Sequence, residues 1–365
     1  MAEGNLPLIE SGWVVRRRPM IVLGAASLAR LLLGAPAIAF ERDPGPVAAT
    51  AQLVTPDAQR AIERGLEFLA QRQGDDGSFG GGGYGRNVAI CALAGTAFLS
   101  QGSTPDRGQY GRHVSRCVAY LLKNSQESGL IDAPGSGGQG PMYAHGFATL
   151  FLAETYGMSR EPEVRRRLAK AVELIISTQN HEGGWRYQAA RQEADVSVTV
   201  CQVMALRAAR NAGLFVPRDT IDRSVAYLKK CQNADGGFLY RLPSGESAFP
   251  RSAAGVVALQ GAGIYEGPEI DRGLAYLRDF LPNGDVSAYN REGHFFYGHY
   301  YAAQAMWHAG GRHWMQWYPA IRDELLARQR NDDGAWTDPI CQEYGTAMAC
   351  IILQMPNDYL PIFQR

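Results

Sequence analysis

Six short triplets carry side chains that could bind a ligand, and each stands before a long apolar segment. They are Tyr84-Gly85-Arg86, Tyr143-Ala144-His145, Ser197-Val198-Thr199, Pro250-Arg251-Ser252, Tyr297-Gly298-His299 and Tyr344-Gly345-Thr346. If each triplet begins a helix, helix N-termini and the basic side chains together favour an anion such as a diphosphate or a carboxylate. Alternatively, these residues have only a structural role, in which they cap helices and form hydrogen bonds with loops. We predict that the ligand-binding members are Arg86, Tyr143, His145, Arg251, Tyr297, His299 and Tyr344.

Acidic residues precede the third apolar segment, where Glu193 and Asp195 flank Ala194. Burial in an apolar cavity raises the pKa of a carboxyl group, which can then meet a substrate in its protonated form. We therefore predict Asp195 and Glu193 as catalytic residues. Hydrolysis of a glycoside also needs two carboxyl groups, and Glu193, Asp195 and Glu343 could supply them.

Aromatic residues are concentrated between positions 294 and 318. In a cavity, such rings stabilise cations through their π faces. Phe295, Phe296 and Tyr300 lie near the triplet of this unit and are predicted to line a cavity. Trp307, Trp314, Trp317 and Tyr318 are predicted to pack between helices instead.

A phrase of the form Gln-x-x-Asp-Gly-Gly-aromatic recurs along the chain and organises these residues. Its aromatic or apolar positions are 79, 131, 185, 238, 289 and 336, which gives steps of 47 to 54 residues. Fixed self-similarity of this length is typical of repeat architectures. Six units therefore fill the chain from Thr55 onward.

Each unit predicts two helices. An amphipathic segment such as Ile62 to Leu69 leads into the phrase, where glycine ends the helix, and an alanine-rich apolar segment such as Val88 to Ala94 follows. A helix that is apolar on most sides is buried. Six alternating pairs predict an all-α fold, an (α/α)6 toroid of residues 55–365 with inner and outer rings; an open solenoid is the competing arrangement.

The phrase resembles the QW-type repeats of the squalene-hopene cyclase, terpenoid cyclase and protein prenyltransferase superfamily. The resemblance covers about residues 55 to 355 and implies that the glutamine and the ring tie each outer helix to its neighbour. The Asp-x-Asp-Asp-Thr acid of the cyclases is missing, and the most similar string, Glu193-Ala194-Asp195-Val196-Ser197, keeps only the central acid. The Asp-x-Cys zinc pair of the prenyltransferases and the Cys-Gly-Glu-Gln thioester string of complement-like domains are also missing.

The N-terminus predicts export. Arg16-Arg17-Arg18 precede an apolar stretch that ends in Ala37-Ile38-Ala39, the pattern of a signal peptide, with paired arginines suggesting the twin-arginine route. The periplasm or the exterior is the predicted location, and an N-terminal membrane anchor is the alternative. Residues 1–39 form this segment and residues 40–54 a linker.

The amino-acid composition limits the kinds of partner that this protein could bind. The 36 basic residues balance the 36 acidic ones, which disfavours nucleic acid. The six cysteines lack C-x-x-C spacing, and His145 and His299 fall in opposite units, so we predict neither a metal nor a cofactor. An apolar, lipid-like small molecule is the predicted partner, while a protein partner and contact with a membrane surface stay open.

Three functions fit these patterns. The first is an exported toroid protein whose apolar central cavity binds or transforms isoprenoid or polyprenyl lipids. The second is a non-catalytic toroid that binds or scaffolds a partner, and a glycan-active α/α-barrel enzyme is a further alternative. Fold analogy alone does not choose among them.

Overall fold

The computed structural model describes residues 53–283 and 294–364. This part of the chain contains twelve α-helices and no β-strand. In chain order the helices are α1 Pro56–Arg72, α2 Val88–Ser100, α3 Gly111–Lys123, α4 Met142–Thr155, α5 Glu163–Thr178, α6 Val196–Asn211, α7 Arg218–Lys230, α8 Phe249–Gly261, α9 Pro268–Arg278, α10 Phe295–Ala309, α11 Gly311–Arg328 and α12 Gln342–Gln354. Short 3₁₀ turns lie at Gly82–Tyr84, Met355–Asn357 and Pro361–Phe363.

Helices of two kinds alternate along the chain. The odd-numbered helices bury one face, as α1 does with Ile62, Leu66 and Leu69. The even-numbered helices are buried almost all round, and in α2 only Ala89 is not fully buried. The even helices therefore form the inner layer and the odd ones the outer layer, as the sequence pattern predicted.

The inner helices close into a ring. Each packs on the next, α2 on α4 and so on to α12, and α12 packs back on α2. The outer ring closes in the same place, because α11 contacts α1. The (α/α)6 toroid is confirmed, and an open solenoid is not the arrangement.

The repeated glutamines join neighbouring outer helices. Gln179 Nε2, just after α5, donates to the carbonyl oxygens of Gly183 and of Thr220 in α7, both at 2.8 Å. Gln329 repeats this pattern across the closure of the ring, with Gly334 and with Ala61 in α1. Each tie stabilises the contact between two repeats through buried hydrogen bonds.

Glycine in the phrase allows the loop to lie directly on the next outer helix. Gly183 has φ +103°, and a Cβ there would stand 2.2 Å from the carbonyl oxygen of Arg223 in α7. Any other residue would be strained and would collide with that carbonyl.

The end of the barrel at which the inner helices finish is closed by the C-terminal segment. After α12 the chain runs across this end and buries Leu360, Ile362 and Phe363. Asn357 Nδ2 donates to the carbonyl oxygen of Ser100 at 3.1 Å, and Trp307 Nε1 donates to that of Phe363 at 2.9 Å. The described part of the toroid therefore opens at the other end, the mouth, where the inner helices begin.

The predicted export segment, residues 1–39, and most of the predicted linker lie outside the described residues. Within the described part, no helix is both long enough and apolar enough to cross a membrane. All six cysteines are described there as free thiols, and all but Cys341 are buried.

Candidate functional site

A cavity of about 440 Å³ opens at the mouth of the toroid. Its wall includes residues at or near the start of every inner helix: Asn87, Tyr143, Ser197, Pro250, Tyr297 and Tyr344. Ile90, Phe147 and Ile340 add apolar surface. The volume is within the range of small-molecule sites.

The wall carries one tyrosine from each of the six repeats. These are Tyr84, Tyr143, Tyr187, Tyr240, Tyr297 and Tyr344. In the second, fifth and sixth repeats the tyrosine belongs to the first turn of the inner helix, and in the first repeat Tyr84 ends the short 3₁₀ turn before α2. In the third and fourth repeats, Ser197 and Pro250 occupy that position, and the tyrosine comes from the preceding loop instead.

Three of the tyrosine hydroxyls are held by hydrogen bonds. Tyr297 donates to the carbonyl oxygen of Ser197 at 3.0 Å, and the hydroxyls of Tyr187 and Tyr240 bond to each other. Burial raises the pKa of Tyr143 and of Tyr297 well above the usual value. These phenols are therefore neutral, and the wall presents uncharged, π-rich surface that suits an apolar or cationic group.

Arg251 brings a positive charge to this wall. Its Nε donates to the carbonyl oxygen of Phe238 at 3.0 Å, and its Nη2 donates to that of Glu246 at 2.5 Å. Within the described residues it has no carboxylate partner. Because backbone carbonyls fix the guanidinium without neutralising it, Arg251 can bind an anion at the cavity.

Asp195 lies behind the wall and does not line the cavity. It caps α6, accepting a hydrogen bond from the Val198 amide at 2.8 Å, and its side chain is fully buried. Burial raises the pKa of Asp195 to about 6, against opposing contributions from the Val198 amide, Arg186 and the Tyr240 hydroxyl. The structure thus gives Asp195 both the capping position and the raised pKa that a proton donor needs.

The other two carboxyl groups considered for catalysis lie away from the cavity. Glu193 is 69% exposed and pairs with Arg186 and Arg241, each at 2.6 Å. Glu343 lies 4.0 Å from Arg72. Neither lines the cavity, so the structure does not bring the three acids together.

His145 does not reach the cavity, because it faces the outer ring. Its Nδ1 accepts from the Ile131 amide at 3.2 Å, and its Nε2 lies 3.2 Å from the Ala171 carbonyl oxygen in α5. Burial lowers the pKa of His145 to about 4, so the ring is neutral. The prediction that His145 is a cationic residue at the rim of the cavity is therefore wrong.

The third residue of other triplets has the same structural task. Thr199, Ser252 and Thr346 accept hydrogen bonds from the backbone amides of Trp185, Phe238 and Trp336. Successive residues of an α-helix are 100° apart, so a residue two positions after a cavity-facing tyrosine points to the opposite side.

His299 is buried among aromatic rings, 4.5 Å from Phe295 and 4.9 Å from Phe249 between ring centroids. Burial lowers its pKa to about 3. Like His145, it faces away from the cavity and is neutral, and it is not a lining residue.

Arg86, Phe295, Phe296 and Tyr300 are also placed outside the cavity lining. Arg86 precedes α2 by two residues and pairs with Asp76, so the sequence register of the first triplet was wrong. Phe295 packs under the guanidinium of Arg328 at 4.1 Å. Phe296 is buried, and Tyr300 lies one turn deeper in α10, with its edge on Phe147.

The sequence did not predict several parts of the wall, including Tyr187 with Tyr240, Asp132, His294 and the glycine-rich segment 137–140. Tyr187 and Tyr240 share a signal, because each stands two residues after the aromatic residue of its phrase. Asp132 follows Ile131 in a degenerate phrase that carried no such signal. No three His, Cys, Asp or Glu side chains of the described residues are grouped as a metal ion would require.

Comparisons with known proteins agree with this architecture. A family model described as the prenyltransferase alpha-alpha toroid domain matches residues 47–169 and 163–277. Over 193 residues the chain is 28% identical to a drimenyl diphosphate synthase of Streptomyces showdoensis. That alignment covers 51% of this chain and 33% of the synthase, so the chain matches about a third of that protein's length.

Solved structures share the fold at low identity. A type II terpene cyclase from Scytonema has a TM-score of 0.59 at 15% identity, covering 83% of this chain and 99% of that chain. An alpha-1,6-mannanase of Salegentibacter sp. HEL1_6 has a TM-score of 0.59 at 9% identity, covering 81% and 98%. These likenesses concern the fold alone, while the family model spans more than half of the sequence. The chain belongs to the prenyltransferase alpha-alpha toroid domain family.

Proposed function

We propose that this protein binds an isoprenoid lipid in the tyrosine-lined cavity. The isoprenoid chain of the ligand would lie between the tyrosine rings, and its anionic head group would bind Arg251. The observation that carries the proposal is the combination of a neutral aromatic wall with a single arginine that has no carboxylate partner within the described residues. An apolar chain buries its surface against the rings, and the guanidinium binds the head group.

Relatives support this class of ligand. The similar Streptomyces protein is named for a diphosphate of a terpenoid. A structure of the Scytonema cyclase, at 14% identity and a TM-score of 0.58, holds geranylgeranyl dihydroxybenzoate, which joins an isoprenoid chain to a polar ring. We carry over from these proteins only the class of ligand.

A reaction on the bound isoprenoid would need an acid. Asp195 is the candidate although it lies behind the wall, because its carboxyl group interacts with the hydroxyl group of Tyr240, which does line the cavity. Its raised pKa keeps a large fraction protonated near pH 6. Glu193 is exposed and doubly ion-paired, so it does not tune Asp195. The glycan-active alternative receives less support, because the three acids on which it depends do not share the cavity.

Titration with farnesyl diphosphate, followed by calorimetry, tests the proposal. We expect Arg251→Gln to raise the dissociation constant by about ten- to a hundredfold, the effect of losing a hydrogen bond to a charged group. Arg86→Gln is the matched control: it removes the same charge from a residue that pairs with Asp76 outside the cavity. Equal affinities of the wild-type protein and Arg251→Gln would rule out this binding mode.

We also propose that the protein is exported, on the basis of Arg16-Arg17-Arg18 and Ala37-Ile38-Ala39. Mass spectrometry of the protein from its native cells should find a new N-terminus near Phe40. An intact Met1 in a soluble cytoplasmic pool would contradict export.

A further inference from the structure

Asp132 brings a carboxyl group to the cavity wall. It directly follows the buried Ile131, and its backbone amide donates to the carbonyl oxygen of Asn124 at 3.2 Å. Among the lining residues that the structure describes, it is the only one with a carboxyl group. A fixed backbone therefore presents a hydrogen-bonding group to whatever occupies the cavity.

No basic side chain of the described residues pairs with Asp132. Burial raises its pKa, and only the backbone amide of Ala133 opposes this effect. Two acids near the mouth differ from Asp132, because Asp76 pairs with Arg86 and Glu193 pairs with two arginines. A partly buried carboxyl group without a side-chain partner costs free energy, which a hydrogen-bond donor of the ligand would offset.

The side chain of Asn87, another polar lining residue, already forms hydrogen bonds with the backbone. Its Nδ2 donates to the carbonyl oxygen of Ser136, and its Oδ1 accepts from the amides of Ala89 and Ile90. Asn87 therefore holds a loop and caps α2. Gln139 and His294 also bring polar side chains to the wall, but among the described lining residues Asp132 alone is acidic, and it lies on the side of the second repeat, apart from Arg251 in the fourth.

We propose that Asp132 is a specificity-determining residue that accepts a hydrogen bond from a hydroxyl group of the ligand, so that the cavity selects an isoprenoid hydroxylated away from its anionic head group. The inference rests on the proposed function, since it assumes that an isoprenoid occupies the cavity. When Asp132 is ionised, its negative charge repels an anionic head group, which favours the Arg251 side for that group. A hydroxyl group can approach in either charge state of the carboxyl group, as donor or as acceptor.

The test compares farnesyl diphosphate with its derivative hydroxylated at the chain end remote from the diphosphate. Calorimetry on the full-length wild-type protein should give at least about tenfold tighter binding of the hydroxylated ligand. Asp132→Leu should abolish this preference, whereas Asp132→Asn should keep part of it, because the amide oxygen still accepts a hydrogen bond. Glu193→Gln, which alters an exposed acid outside the cavity, should keep the full preference.

Each outcome decides between the two proposals. Binding of both ligands with equal affinity to the wild-type protein overturns the role of Asp132 and leaves isoprenoid binding intact. A preference that survives in Asp132→Leu also overturns it, since the hydroxyl group would then bind elsewhere. Failure of both ligands to bind overturns isoprenoid binding and the Asp132 inference with it.

Discussion

The two ends of the toroid are built from the same helix pairs and differ in what the connecting segments do. At the mouth, fully described connections run for 13 to 18 residues, such as 124–141, and surround a cavity. At the opposite end, connections run for 1 to 10 residues, and the C-terminal segment fills the remaining space. The barrel supplies stability, and the long loops at one end supply the candidate site.

The sealed end also holds buried ionisable groups of its own. Glu154 and Arg207 are both buried there, and Arg207 donates to the carbonyl oxygen of Gln364. Burial raises the pKa of Glu154 to about 7, partly opposed by the Ile362 amide and by Arg207. At the mouth, Arg251 instead faces a cavity.

The largest expected difference between the two ends concerns packing. Phe363→Ala should lower the free energy of unfolding by about 3–5 kcal/mol, because it empties a filled site. Phe147→Ala removes an equal ring from the cavity wall and should cost less, about 2 kcal/mol, because that ring already borders open space. Urea unfolding measures both, and equal losses would show that the mouth is packed as tightly as the sealed end.

Stability should depend on pH through the sealed end. The folded pKa of Glu154, about 7, lies above its ordinary value of 4.5, so the folded state favours the neutral form. Its contribution to stability is complete below pH 4.5 and is lost as the pH rises to about 7, on the order of 3 kcal/mol in total.

Asp195 at the mouth also lowers the stability of the protein as the pH rises, because burial raises its folded pKa to about 6. This loss of stability is largely complete near pH 6. In the interval from pH 6 to pH 7, Glu154 therefore lowers stability as the pH rises, whereas the buried and neutral His145 and His299 act in the opposite direction, because they bind protons only in the unfolded state. Urea unfolding in this interval should show that Glu154→Gln makes the slope of the free energy of unfolding against pH more positive than in the wild-type protein, whereas the exposed control Glu193→Gln leaves this slope unchanged. An unchanged slope in Glu154→Gln would assign the dependence to other groups.

The smallest expected effect on stability is that of Asp195→Asn. Asparagine caps a helix about as well as aspartate, so at acidic pH, where the Asp195 carboxyl group is neutral in both the folded and the unfolded state, the free energy of unfolding should change by less than about 0.5 kcal/mol. If Asp195 donates a proton, product formation from an isoprenoid should fall by about a hundredfold or more. Product analysis beside a thermal melt separates the two roles, and unchanged turnover in the Asp195→Asn variant would leave Asp195 as a cap alone.

The fold could be predicted because every repeat carries the same information. Gln179 and Gln329 make equivalent ties in different repeats, so one pattern read several times predicts the whole ring. Tyr143, Tyr297, Tyr344 and Arg251 were likewise placed at the mouth by helix register.

The remaining site residues depended on details that a repeat does not contain. His145 lies two positions after Tyr143 and so faces the outer helix rather than the cavity. Tyr187, Tyr240 and Asp132 come from loops, whose paths are set by packing rather than by helical periodicity. Whether a loop side chain reaches the cavity could not be derived from spacing alone.

A crystal structure of the protein with farnesyl diphosphate would show directly where the isoprenoid binds. We expect the isoprenoid chain to lie between the tyrosine rings at the mouth, with the diphosphate within hydrogen-bond distance of Arg251. Ligand density at the sealed end or on the outer surface, with the cavity holding only water at saturating ligand, would contradict the account.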